Sequence, residues 1–206
     1  MSEEKELKTE ELILEAAEKV FINKGFAATK TTEIAKEAGV THAMLHYYFR
    51  TKENLFNIVF QNKVQLLANS FFSVVHQDKS FTEIIGSAIE HHFDFIKENP
   101  ELGLFIINEI NSNEKNSKIW SDIAVPIFSN AVSSIKQMID TEVQKGTIRP
   151  IDPVDFVQTV VSLNIFPFIS KPLFKNLRHV SDKEYEKFSE QQKKENIRLV
   201  LLMLKP

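Results

Sequence analysis

The stretch TTEIAKEAGVTHAMLHYYFR, Thr31–Arg50, decides how the rest of this chain is read. Ala35 and Gly39 are four residues apart, Leu45 lies six beyond Gly39, and Ile34 and Val40 flank them. Two helices that cross steeply need a small residue where they touch, which Ala35 supplies. The tight turn between them needs a residue at ease with positive φ, which Gly39 supplies. Val40 and Leu45 then seal the wedge from the second helix. The spacing predicts short helices from about Thr31 to Ala38 and from about His42 to Tyr48. With Leu45, Tyr48 and Phe49 turned inward, the opposite face carries Thr41, His42, Ala43 and His46, side chains of a size and chemistry that enter a DNA major groove. Tyr47, Lys52 and threonine hydroxyls at the rim suit phosphate oxygens, which position a protein rather than read bases.

Outward from this stretch the hydrophobic period stays helical. Leu12, Ile13, Ala16, Ala17, Val20 and Phe21 form one apolar face, and Gly25 is placed to end that helix with Phe26 packing back on it. Thr51 is predicted to cap a long helix whose stripe runs Leu55, Phe56, Val59, Phe60, Val64, Leu67, Phe71 and Val74. Ser80 with Glu83, and Ser181 with Glu184, make capping boxes. Asn99-Pro100 and Asp152-Pro153 each set a capping side chain before a proline at the first helical position. Gly146 and Pro150 close the helix that holds Trp120, and Pro126 is expected to kink or split it. Pro167 and Pro172 are expected to end the helix that starts at Asp152. The expected fold is all-α: about nine helices and no strand, with a three-helix head and a larger helical core.

The 206 residues carry a net charge of −3, which argues against a protein that coats nucleic acid broadly and leaves room for a small reading surface. The chain has no cysteine, so disulfides, thiolate metal sites and cysteine nucleophiles are excluded together. No G-x-S-x-G, phosphate-binding glycine loop or H-E-x-x-H is present, and nothing points to an enzyme or a cofactor. The charged start MSEEKELKTEE is unlike a secretory signal, and the least charged stretch, Phe156–Ser170, is shorter than a membrane span and reads as a buried helix. A cytoplasmic protein with no membrane role is expected. His42 and His46 also stand at the spacing of a two-histidine metal pair, but no third ligand lies beside them, and they are read as facing DNA.

The run from Ile13 to Leu55, ILEAAEKVFINKGFAATKTTEIAKEAGVTHAMLHYYFRTKENL, resembles the N-terminal domain of the TetR family of bacterial transcriptional regulators. The resemblance implies a DNA-binding domain over residues 1–51 and a ligand-binding and dimerisation domain over 52–206. It implies base contacts at Thr32, His42, Ala43 and His46, and phosphate contacts at Thr31, Thr41, Tyr47, Tyr48 and Lys52. Ala43 stands where the family usually has glycine, and His46 where it usually has tyrosine, so the operator is this chain's own. The Ala43 methyl is expected to meet a thymine methyl, and His46 to donate to a base acceptor.

The resemblance also implies a homodimer on a double-stranded DNA operator and a small-molecule effector in the core. Nothing in the residues separates packed aromatics from pocket-lining ones. The pocket candidates are Phe71, Phe93, Phe105, Trp120, Phe128 and Phe166, joined by Asn108 and Glu109 as polar groups on an apolar helix, which makes the expected effector largely apolar. Helices that are apolar on more than one side suggest a subunit interface at Leu163, Phe166, Ile197, Leu201 and Leu204, against plain intrachain packing. A helical protein-interaction module with no DNA role is the alternative, and it leaves the Thr41–His46 face unexplained.

Overall fold

The computed structural model describes residues 3–72, 79–112 and 114–206, and among them it is helical throughout with no strand. The elements are α1 (Glu3–Ala28), α2 (Thr31–Glu37), α3 (His42–Phe49), α4 (Lys52–Phe72), α5 (Phe81–Glu98), α6 (Pro100–Asn111), α7 (Glu114–Gln144), α8 (Pro153–Ile169), α9 (Lys171–Arg178) and α10 (Asp182–Met203). Val74 of the expected α4 stripe lies outside the described residues.

The chain divides into two compact units. One comprises the residues up to Gln65 together with Phe105–Ala124; the other comprises Leu66–Leu104 and Val125–Pro206. In the first unit α1 packs on α2 and α2 on α3. Ile13, Ala17 and Phe21 of α1, Ile34 and Ala35 of α2, Leu45 and Phe49 of α3, and Leu55, Phe56 and Phe60 of α4 are buried together with Phe105 of α6. Phe56 stands edge-on to Phe21 at 4.9 Å and to Phe26 at 5.0 Å, so rings from α1 and α4 lock the unit. In the second unit α5, α8 and α10 pack mutually around Phe81, Ile85, Ile89, Phe156, Val160 and Val200, with Ile135 and Ile139 of α7 in the same cluster.

The local signals hold where a single turn decides them. α1 breaks at Gly25, which takes φ 74° and ψ 170°. The Ser181 hydroxyl accepts from Glu184 N–H while the Ser181 N–H donates to Glu184 Oε2 at 2.9 Å. Glu83 takes the Ser80 N–H in the same way at 3.0 Å. Asp152 accepts from the N–H groups of Val154 and Asp155, and Thr51 from that of Asn54.

Four readings are corrected. Asn99 does not cap α6 with its side chain; it also ends α5, and its amide donates to the Phe95 carbonyl at 2.9 Å. α7 is not split at Pro126 but runs past it as one element. Pro167 sits inside α8, and Pro172 opens the additional helix α9 rather than ending structure, because a proline in the first turn gives up no needed N–H. α8 is only half buried: Phe156, Val160, Asn164 and Ile165 are inside, whereas Val154 is 57 % and Phe166 58 % exposed.

Candidate nucleic-acid interface

The turn between α2 and α3 is held by backbone hydrogen bonds, Gly39 N–H to Lys36 C=O at 3.2 Å and Val40 N–H to Ala35 C=O at 3.0 Å. Gly39 has φ 67°, and a Cβ added there would meet nothing within 4 Å, so conformation and not space demands glycine. Thr41 caps α3, its hydroxyl accepting from the Met44 N–H at 3.2 Å. Leu45 and Phe49 are fully enclosed against buried Ile34 and Ala35 in the core of the same unit. That burial turns Thr41, His42, Ala43, His46 and Tyr47 to solvent, with Thr32 of α2 exposed beside them.

The exposed face is organised. His42 Nε2 lies 2.9 Å from the Thr31 hydroxyl, and its ring stands edge-on to that of His46 at 4.4 Å. His46 Nδ1 lies 2.9 Å from the Arg50 carbonyl oxygen. A carbonyl only accepts, so Nδ1 carries the hydrogen, and the neutral ring presents Nε2 as an acceptor. The same bond steadies the end of α3, where Arg50 has φ 65° and the Asn54 side chain donates to the Phe49 carbonyl at 3.1 Å.

The phosphate candidates divide. Thr31, Thr41 and Tyr47 lie on or beside the reading face, Tyr47 65 % exposed. Tyr48 does not, because its hydroxyl is buried and has no partner. Lys52 is half-buried, donates from Nζ to the Thr29 carbonyl at 2.8 Å, and sits 4.3 Å over the Phe26 ring. Its first task is to fasten the α1–α2 corner. Three further cations, Lys30, Lys36 and Arg50, are exposed and make no ion pair among the described residues. The carboxylates of α2 are paired instead, Glu33 with Lys24 at 3.1 Å and Glu37 with Lys19. Hydrogen bonding to Lys24 holds Glu33 below the usual carboxylate range. The acidic groups of α2 are thus offset by lysines of α1.

The pocket candidates fall in both units. Phe71 and Phe93 are buried in the second unit, Phe93 against Phe168 at 5.0 Å, and Phe128 is half-buried. Phe105 packs in the first unit, 6.0 Å from Phe56 and 6.1 Å from Phe60. Asn108 is exposed on α6, so no buried polar group there seeks a partner. Glu109 is buried and accepts from the Phe26 N–H at 2.9 Å. Phe166 is exposed, 6.2 Å from Phe174, and the side chain of Trp120 lies outside the described residues. An open groove of about 470 Å³, lined by Phe81, Ile84, Gln137, Met138 and neighbours, contains none of them.

Of the interface candidates, Leu163, Ile197 and Leu201 are half-buried against the core of the second unit, and Leu204 is packed inside it. The remaining candidate, Phe166, is exposed, and Leu173, Leu177, Phe188, Leu199 and Leu202 carry further apolar surface of that unit. The second unit also holds a polar ladder the sequence did not announce. Asn164 donates to the Ile89 carbonyl at 2.9 Å and to His92 Nδ1 at 3.0 Å. Asn196 donates to Asn164 Oδ1 at 3.0 Å and to the Leu163 carbonyl at 2.9 Å. Burial, with a smaller contribution from His91, pushes the His92 imidazole down to about 4. That agrees with the geometry, since a proton on Nδ1 would face the Asn164 amide hydrogens.

A wedge of two short helices, a sealed inner face and an exposed outer face of threonine, alanine and histidine define a helix-turn-helix DNA-binding regulator. Residues 13–59 match the model of bacterial regulatory proteins of the tetR family, and residues 82–200 match that of the tetracyclin repressor-like C-terminal domain. The chain belongs to the TetR family of transcriptional regulators. It is 27 % identical over 152 residues, 69 % of this chain and 73 % of the relative, to the uncharacterized HTH-type transcriptional regulator YhgD of Bacillus subtilis. The solved structure of HlyIIR, a hemolysin II transcriptional regulator, is similar at 25 % identity with a TM-score of 0.66, covering 98 % of this chain and 99 % of that one. The fold is shared with FadR of Bacillus subtilis in complex with stearoyl-CoA, at 17 % identity and a TM-score of 0.67, covering 91 % of this chain and 97 % of that one. No single helix among the described residues is long and apolar enough to cross a membrane.

Proposed function

We propose that this regulator acts in the cytoplasm as a homodimer on a near-palindromic operator and is released from it by a largely apolar small molecule, the outcome at the promoter being repression. The observation that carries the reading is the outer face of α3, where Thr41, His42, Ala43 and His46 are exposed while Leu45 and Phe49 anchor the helix from behind. Thr32, His42, Ala43 and His46 read bases; Thr31, Thr41 and Tyr47, with Lys30, Lys36 and Arg50, hold phosphates. The apolar surface of α8, α9 and α10 supports a second copy as its cover. The fold shared with a stearoyl-CoA complex makes fatty-acyl thioesters the first effectors to try. An effector releases DNA only by binding the off-DNA arrangement more tightly than the bound one.

The test is a mobility shift on the DNA upstream of the protein's own gene, at low salt and over a salt series. A retarded band that weakens steeply with salt is expected. No retardation of any promoter fragment at low salt overturns the reading.

A further inference from the structure

We propose that Glu109 is the residue by which the effector domain holds the DNA-reading head in position, through a single hydrogen bond to the backbone of Phe26. The inference rests on the DNA-binding reading and adds a point of control to it. Phe26 lies in the segment matched by the N-terminal family model and Glu109 in the segment matched by the C-terminal one, 83 residues further on.

The bond exists because α1 breaks. At Gly25 the backbone leaves helical geometry, and the Phe26 N–H that follows is taken up by a side chain. Glu109 Oε1 accepts it at 2.9 Å. Gly25 also makes room: a Cβ there would stand 2.8 Å from the same oxygen, on a backbone with φ +74°. The corner is fastened at two further points. The Thr29 hydroxyl donates to the Gly25 carbonyl at 2.7 Å, and Lys52 of α4 donates to the Thr29 carbonyl at 2.8 Å. The segment Gly25–Thr29, which leads directly into α2, is therefore gripped by one side chain from α4 and one from α6.

A carboxylate is a costly choice for this task. Glu109 is 5 % exposed, and burial raises its pKa while the Phe26 N–H and the nearby Lys52 only partly offset this. A buried charge is weak evidence for stability as such. A charge held in place by one directional bond is instead easily released: an ångström of movement along α6 takes the pair out of hydrogen-bonding range. By linkage, whatever α6 does to the head, DNA on the head does equally to α6.

The experiment is hydrogen exchange on the full-length protein, with and without its upstream DNA fragment, for wild type, Glu109→Ala, Glu109→Asp and Glu109→Gln. In the free protein, loss of the bond should speed exchange of the Phe26 amide about tenfold in Glu109→Ala and Glu109→Asp, the aspartate being one methylene too short. Glu109→Gln keeps a carbonyl acceptor and should restore protection. On adding DNA, α6 should become protected in wild type and Glu109→Gln, and remain unchanged in Glu109→Ala and Glu109→Asp, although all four bind the fragment. Equal α6 protection in all four proteins, or an unchanged Phe26 amide, overturns the latch while leaving the DNA-binding reading standing. Absence of DNA binding by wild type overturns that reading and the latch with it. Should Glu109→Ala fail to fold, Glu109→Asp decides the question alone.

Discussion

Histidines stand in two opposite settings in this molecule. On α3, His42 and His46 are exposed, and each spends one ring nitrogen on a local partner. His46 thereby keeps a defined tautomer with Nε2 uncommitted. In the second unit His92 is enclosed, and the asparagines around it spend their amides on one another and on helix carbonyls. The lesson concerns where polar capacity is left over. A reading surface needs groups that are oriented but unspent, while a polar core is stable only when its groups are consumed. The same residue type occurs in both settings, and its hydrogen bonds distinguish them.

The largest expected effect breaks the consumed side. Asn164→Ala strips the His92 and Asn196 partners and leaves a gap, and should lower unfolding stability by about 4 kcal/mol in a denaturant titration. DNA affinity at permissive temperature should hardly change. Next is the pH dependence of the same ladder. With the His92 imidazole near 4 in the folded protein and about 6.5 when unfolded, the unfolded chain binds more protons between those values. Stability is then complete above about 6.5 and falls as pH drops toward about 4, by roughly 3 kcal/mol. His92→Leu should flatten the slope over that window, as read by thermal unfolding at a series of pH values.

The unspent side is tested by Ala43→Glu. The site is exposed, so the fold should keep its melting temperature, while a carboxylate against the groove weakens DNA binding roughly 100-fold. Anisotropy titration against the same fragment reads this directly. The smallest effect is Thr41→Ala, which removes the α3 cap and should cost about 1 kcal/mol of stability. If Ala43→Glu and Asn164→Ala alter the same measurement, the contrast between spent and unspent groups fails.

Most of the fold was legible because its signals are local. The Ala35–Gly39–Leu45 wedge, the break at Gly25 and the caps at Thr51, Asp152 and Ser181 each follow from a few neighbouring residues. α9 escaped notice because Pro172 was read as a stop, although a first-turn proline starts helices as readily as it ends them. The exposed face of α3 was legible for the same local reason: burial of Leu45 and Phe49 dictates it. What escaped depends on distant partners. Nothing near Lys52 announces Thr29, and nothing near Glu109 announces Phe26. Leu204 looked like free apolar surface, yet it lies within the core of the second unit, its carbonyl accepting from the Arg149 N–H at 3.0 Å. The ladder through His92, Asn164 and Asn196 joins three helices and leaves no periodic trace.

The most direct test of the central claim is a hydroxyl-radical footprint of the upstream fragment with wild type and Ala43→Glu. Wild type should protect two patches on one side of the duplex, centred about one helical turn or a multiple of it apart, and Ala43→Glu should lose both. No protected patch, or protection that survives Ala43→Glu unchanged, would contradict the assignment of DNA reading to the outer face of α3.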